Sequence, residues 1–160
     1  TYIAPWQGGF GTTLSWNGVA LQVQFAGVQG RYVFNNDRYF EESNGLYSAY
    51  NQSRRILYDR WKKPGDITDI PRYGVTPQMD SRFLEDASFL RLKNLSLSYS
   101  FPQALLAKTR FLGSARIYIQ GQNVFTFTSF SGLDPENSSN IYAAQYPMSR
   151  QFTAGLEISF

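Results

Sequence analysis

Phe10-Gly11-Thr12-Thr13-Leu14-Ser15-Trp16-Asn17-Gly18-Val19-Ala20-Leu21-Gln22-Val23-Gln24-Phe25 decides the fold class of this chain. The large apolar residues fall at every second position, the period of a strand with one apolar and one polar face. Phe10, Thr12, Leu14 and Trp16 point one way, with Gly11, Thr13 and Ser15 between them. Val19, Leu21, Val23 and Phe25 do the same on the return, against Ala20, Gln22 and Gln24. Asn17-Gly18 accepts the positive φ of a type I′ turn, so the two runs read as an antiparallel hairpin. The return strand continues less regularly to about Phe34.

Outward from this hairpin the same period recurs three times. Leu95, Leu97, Tyr99 and Phe101 alternate with Asn94, Ser96, Ser98 and Ser100. Just before them, Leu90-Arg91-Leu92-Lys93 stands in the opposite phase, which predicts either a bulge near Asn94 or a strand that leaves its apolar surroundings there. After a Gln103–Gly113 linker, Ala115, Ile117, Ile119, Gly121, Phe125 and Phe127 oppose Arg116, Tyr118, Gln120 and Gln122. The last strand sets Phe152, Ala154, Leu156, Ile158 and Phe160 against Thr153, Gly155, Glu157 and Ser159. The connections alternate in length. Asn17-Gly18 and Gln103–Gly113 are short; about 35–88 and 129–150 are long, charged or proline-bearing, and carry no sustained alternation. Helical periodicity is weak, although Glu41 to Trp61 has room for a helical turn or two.

Composition narrows the function. Among 160 residues there is no Cys and no His, which excludes a disulfide framework, a thiol nucleophile and the commonest metal ligand and general base. Charged residues make up 17% and aromatics another 17%. The net charge of +3 is too small to argue for nucleic acid. Of the 27 charged side chains, 20 lie between Arg31 and Lys93, while Thr1–Gly30 and Ile117–Leu133 hold none. No apolar run reaches the ~20 residues of a membrane helix, and no signal peptide is read. The chain starts at Thr1 and ends on an alternating strand at Phe160, so it reads as part of something longer.

An antiparallel meander with short turns at one edge, long connections at the other, and one apolar and one polar face is the pattern of an outer-membrane barrel. The polar face of Gln, Ser, Thr, Gly and Tyr suits a watery lumen. The competing reading is a soluble antiparallel sandwich acting as a carbohydrate-binding module, but five strands this polar would bury little and leave two long edges unpaired. Five strands also do not close a barrel, so the remaining strands belong to chain beyond these residues.

The motifs then resemble the C-terminal portion of SusC/RagA-like TonB-dependent outer-membrane transporters. The resemblance rests on Gly8-Gly9-Phe10, Asp59-Arg60-Trp61 with Pro64 and Pro71-Arg72, and most specifically on Ser81-Arg82-Phe83-Leu84-Glu85-Asp86-Ala87-Ser88-Phe89-Leu90-Arg91-Leu92-Lys93-Asn94-Leu95. Gly121-Gln122-Asn123-Val124-Phe125, Gly132-Leu133-Asp134-Pro135-Glu136, Tyr146-Pro147 and the last strand are also similar. The resemblance implies a barrel of about 22 strands with an N-terminal plug, energised through TonB. It further implies a SusD-like surface lipoprotein and a glycan or peptide as cargo. The expected partners are therefore the rest of the barrel and plug, the lipoprotein, TonB, outer-membrane lipid and the cargo. No cofactor is implied.

No catalytic set emerges. Glu41-Glu42 and Glu85-Asp86 are adjacent carboxylates, and neighbours on an extended chain point opposite ways; Asp66 and Asp69 lack the spacing of a calcium loop. The basic group Arg54, Arg55, Arg60, Lys62 and Lys63 reads as a solvated surface, and next as a contact for anionic lipid. Trp61, Tyr73, Phe130, Tyr142 and Tyr146 fall in the long connections, where aromatic faces either stack on sugar rings or pack against protein. Trp16, Tyr99, Phe101 and Phe160 fall near strand ends on the short-turn side and read as an aromatic girdle at the membrane boundary.

Overall fold

A computed structural model describes residues 1–47, 49–109 and 111–160. The chain forms two compact units. The wall unit, Trp6–Gln29, Phe89–Thr128 and Met148–Phe160, holds the long strands; the connecting unit, Thr1–Pro5, Gly30–Ser88 and Ser129–Pro147, holds the long connections.

In the wall unit, β1 (Trp6–Trp16) and β2 (Val19–Gln29) form the hairpin, in full register from Trp6 opposite Gln29 to Trp16 opposite Val19. Asn17 at φ 54° and Gly18 at φ 85° make the turn, as the sequence predicts. β1 starts four residues earlier than its alternation shows, because Gly8 occupies an apolar-face position and carries no side chain to reveal the period. Leaving β3 (Tyr32–Asn35), α1 (Asn36–Glu41), α2 (Arg54–Tyr58) and β4 (Leu84–Asp86) to the connecting unit, the sheet resumes with β5 (Phe89–Ser100) and β6 (Ser114–Thr128). A four-residue α3 (Gln103–Leu106) lies between them. After β7 (Ile141–Tyr142) of the other unit, β8 (Gln151–Ser159) completes the sheet in the order β1-β2-β5-β6-β8, each strand antiparallel to the next.

The bulge lies at Lys93, one residue before Asn94. Gln24 and Phe25 of β2 face Asn94 and Leu92, so Lys93 is extra against β2. Asn94 and Leu92 in turn face Gln122 and Phe125, so two residues of β6, Asn123 and Val124, span the same step. Asn123 adopts φ 53° there, a conformation Asn tolerates better than most residues. Each strand adds one residue at this level. The result restores phase: Leu92 and Leu90, out of step in sequence, come opposite Phe25 and Gly27 and rejoin the apolar face.

The connecting unit corrects two expectations. The stretch to Phe34 is not a continuation of β2: Gly30, at φ 77°, turns the chain, and Tyr32–Asn35 enters a separate sheet. There β3 runs antiparallel to β4 and parallel to β7. The irregular stretch is also more ordered than its lack of alternation suggests. Asn35 caps α1 by accepting the Arg38 N–H on Oδ1 (3.1 Å), and Ser53 caps α2 through its Oγ and the Arg55 N–H (3.3 Å). Its strands are too short, at four, three and two residues, to print a period in the sequence. Val33, Ala87, Phe130 and Tyr142 are buried together as its core. A second aromatic cluster gathers Phe34, Tyr39, Phe40, Tyr47, Tyr50 and Phe83, with neighbouring ring centroids 4.9–6.4 Å apart.

Candidate functional site

Directly opposed residues of an antiparallel pair share a face, so the sheet can be read row by row. Trp16, Val19, Tyr99, Ile117 and Leu156 make one row; Leu14, Leu21, Leu97, Ile119 and Ala154 make the next. Beyond the bulge come Phe10, Phe25, Leu92 and Phe125, with the Phe10 and Phe25 rings stacked at 5.1 Å. The reverse face carries rows such as Thr13, Gln22, Ser96, Gln120 and Thr153. Gln120 Nε2 donates to Asn94 Oδ1 (2.8 Å), and Arg116 donates to Ser98 Oγ (3.2 Å) and Glu157 Oε2 (3.4 Å). Leu14, Phe10, Ile119, Phe125, Phe127, Phe152 and Leu156 are all exposed. A contiguous apolar face of this size marks a surface made for lipid or protein.

Trp16, Tyr99, Phe101 and Phe160, the four residues expected to form a girdle, lie at one end of the sheet. Trp16 closes β1 at the hairpin and is 80% exposed. Tyr99 and Phe101 sit edge to face at 5.2 Å. Phe160 stacks on Phe111 at 6.5 Å. The same end carries both short connections, since Ser100 N–H donates to Gly18 O and Gly113 N–H to Ser159 O. Sequence reasoning missed Phe111, which lies outside any alternating run. It also missed Trp6, at the far end of β1, because the glycines hide that part of the strand. Ten residue steps separate Trp6 from Trp16, about 34 Å along a strand, or roughly 24–28 Å along the normal at barrel tilts of 35–45°. That matches the ~25 Å apolar band that such girdles flank.

The connecting unit carries an ion-pair cluster. Arg38 reaches Glu42 (3.1 Å), Asp69 (3.2 Å) and Glu85 (3.2 Å); Arg55 reaches Glu42 (2.7 Å) and Asp69 (2.7 Å). Glu85 also accepts from the N–H and hydroxyl of Ser131 (3.1 and 2.7 Å). Burial works to raise the Glu85 pKa, but the Ser131 and Arg38 hydrogen bonds outweigh it, and the carboxyl lies below its ordinary value. Asp69 is likewise lowered: burial opposes, and the hydrogen bond and charge of Arg55 prevail. Beside this cluster lies a cleft of ≈ 560 Å³, lined by Asn35, Asp37, Arg38, Glu41, Glu42, Ser53, Arg55 and the 131–133 segment. Among the described residues, no group of three or more carboxylates is placed to hold a metal ion.

The five aromatics of the connections are not brought together as one surface. Tyr142 is fully buried and packs edge to face on Phe130 at 4.9 Å, so both serve the core and present no ring to a sugar. Trp61 is half-buried, and its backbone N–H donates to Ile70 O (2.9 Å). Tyr73 lies under the guanidinium of Arg60 at 5.3 Å. Tyr146 is 98% exposed. The basic group is not uniformly solvated either, since Arg55 is held by Glu42 and Asp69, and Arg54 lies over the Tyr58 ring at 5.4 Å.

An antiparallel meander with one apolar face, a hydrogen-bonded polar reverse, and aromatics at its ends is a segment of β-barrel wall. No protein-family model matches the chain. "TonB-dependent receptor P3" of Formosa agariphila is 37% identical over 128 residues, 72% of this chain and 13% of that protein. "TonB-dependent receptor SusC" of Bacteroides thetaiotaomicron is 39% identical over 87 residues, 54% of this chain and 9% of that protein. The solved structure of the RagAB peptide importer in its closed-closed state matches with a TM-score of 0.91 and 41% identity, over 100% of this chain and 18% of that one. The chain belongs to the SusC/RagA-like TonB-dependent transporters and spans less than a fifth of the length of these relatives. No helix among the described residues is long and apolar enough to cross a membrane, which says nothing of its strands.

Proposed function

We propose that this chain supplies part of the barrel wall, lumen lining and two extracellular connections of an outer-membrane importer that takes up glycans or peptides with a SusD-like lipoprotein. The observation that carries this reading is the two-faced sheet with aromatics about one bilayer apart. The apolar face meets lipid, and Trp16, Tyr99, Phe101 and Phe160 sit at the periplasmic boundary. The polar face, with Asn94, Gln120 and Arg116, lines the lumen. The long connections leave the sheet at the strand ends away from Asn17-Gly18, and in this reading they are the extracellular ones that meet the medium, the lipoprotein and the cargo. The plug and the TonB contact lie in the remainder of the parent protein. Being named receptors and importers, the relatives support transport rather than catalysis. The name of the RagAB neighbour favours peptides over glycans.

The test deletes the parent gene and measures uptake of labelled peptide mixtures and labelled oligosaccharides by whole cells, with and without a functional TonB. Energy-dependent uptake of one class, lost in the deletion, is the expected result. Purified full-length protein that stays monodisperse without detergent would instead favour a soluble carbohydrate-binding module.

A further inference from the structure

Two hollows on the apolar face of the wall join into one furrow. The larger, ≈ 530 Å³, lies where Gly121 and Ala154 leave the face low between Leu95, Ile119 and Phe152. The smaller, ≈ 270 Å³, lies beside Val19, Ile117 and Tyr99. Leu97 and Ile119 line both, so the hollows adjoin. The bulge closes one end of the furrow. It sets Val124 against Gly121, where a Cβ would stand 2.7 Å from Val124 Cγ2 and 3.3 Å from the Phe152 ring. The other end opens at Tyr99, which shares a row with Trp16 of the girdle. Ile117 to Gly121 is four residue steps, about 14 Å along the strand, or roughly 10–11 Å along the normal at barrel tilts of 35–45°. That is close to half of the ~25 Å apolar band, the depth of one leaflet.

We propose that this furrow seats one acyl chain of a phospholipid of the periplasmic leaflet. The inference rests on the barrel reading for the contact of this face with lipid. A hollow left empty costs its lining side chains their contacts on one side. A flexible hydrocarbon chain follows such a hollow, where a flat protein surface would bridge it. The length also favours a chain from one leaflet, because a chain entering at Tyr99 reaches Val124 near mid-membrane. Its headgroup then lies level with the Trp16 and Tyr99 rings, the depth such rings prefer. Lys108, exposed in the short connection at the same end of the sheet, brings a cation to the level of the phosphate.

The test uses the full-length parent, stripped of lipid in detergent, with dipalmitoyl phosphatidylethanolamine as the probe and bound lipid counted by native mass spectrometry. The unmodified protein should retain a phospholipid that Ala154→Phe, which fills the larger hollow, binds about tenfold more weakly. Leu156→Phe adds bulk to the same face outside both hollows and should bind as the unmodified protein does. Only folded, heat-modifiable protein is compared. Equal retention in all three overturns the proposal, as does no retention by the unmodified protein. Preference for lipopolysaccharide over the phospholipid also overturns it, since that lipid belongs to the other leaflet. So does a dimer of the parent that Ala154→Phe dissociates without loss of lipid, which would give the furrow to a second copy. One readout needs no substitution. In crystals grown with a phospholipid brominated in mid-chain, an anomalous peak should lie beside Ala154, and its absence there overturns the proposal. A parent protein that stays monodisperse without detergent removes the barrel reading as well, whereas one that needs detergent and leaves the furrow empty removes the proposal alone.

Discussion

At Arg38 one guanidinium ties three segments together: Glu42 a turn away, Asp69, and Glu85 on β4, 47 positions on in sequence. Glu85 completes the tie by holding Ser131, which belongs to the second long connection. In sequence, Glu85-Asp86 shows only as two adjacent acids, and nothing in its spacing points to Arg38 or Ser131. The pairing is set by the tertiary fold, so it was not legible. The acid dependence of this tie has a defined sign. Asp69 and Glu85 have folded-state pKa values below their ordinary ones, so they bind protons less readily folded than unfolded. Their contribution is complete above the ordinary carboxylate range and is lost as pH falls through the depressed values. Hydrogen exchange of Gly30–Ser88, corrected for intrinsic rate, should keep its protection from neutral pH down to the ordinary carboxylate range and lose it as the pH falls below that range. Glu85→Gln should already show reduced protection at neutral pH and a shallower loss in acid. Unchanged protection across the range would show that packing alone holds the unit.

The strands were legible to different degrees for a physical reason. Where the apolar face carries a side chain at every second position, as in β8 or the lower half of β5, the period of two is visible and the register follows. Gly8 leaves a hole in that record, which is why the far end of β1 is not visible, whereas β2 reads too long because the turn at Gly30 leaves no break in the alternation. The Leu90–Lys93 phase slip was readable as a bulge, but its share between β5 and β6 required knowing their partners. Likewise, α1 and α2 are held by caps and tertiary contacts over six and five residues, too few for a helical period to emerge. The face assignment itself makes a quantitative expectation. Leu156, opposite Ile117, is on the apolar face, and Ser159, opposite Ser114, is at the strand end. Leu156→Arg should cost ~2–4 kcal/mol of membrane-folded stability if it sits near the midplane, while Ser159→Arg should cost ~0–1 kcal/mol at the interface. Denaturant titration of heat-modifiable full-length protein in lipid vesicles measures both. Equal costs would mean that the apolar face does not meet lipid.

At the scale of the molecule, the two long connections behave as one folded object although 40 residues of wall, Phe89–Thr128, separate them. Gly30–Ser88 supplies Val33 and Ala87 to the shared core; Ser129–Pro147 supplies Phe130 and Tyr142. β7 extends the sheet by pairing with β3, and Arg31 donates to the carbonyls of Pro135 (3.5 Å) and Ser139 (3.2 Å). Removing one connection therefore does more than shorten it. Replacing Ser129–Pro147 with a short turn would uncover Val33 and Ala87, strip Arg31 of those carbonyls, and leave Glu85 without Ser131. Core losses and stranded buried polar groups are each costly, and here they coincide. The wall would keep its own ladders, because β6 and β8 still meet through Gln122 opposite Gln151. The expected outcome is a receptor that still inserts and remains heat-modifiable, but whose Gly30–Ser88 segment is cut by proteinase K added to intact cells. Replacing both connections together should restore protease resistance, since no half-core is left exposed. Resistance of Gly30–Ser88 in the single replacement would show that the first connection folds alone and that the shared core is dispensable.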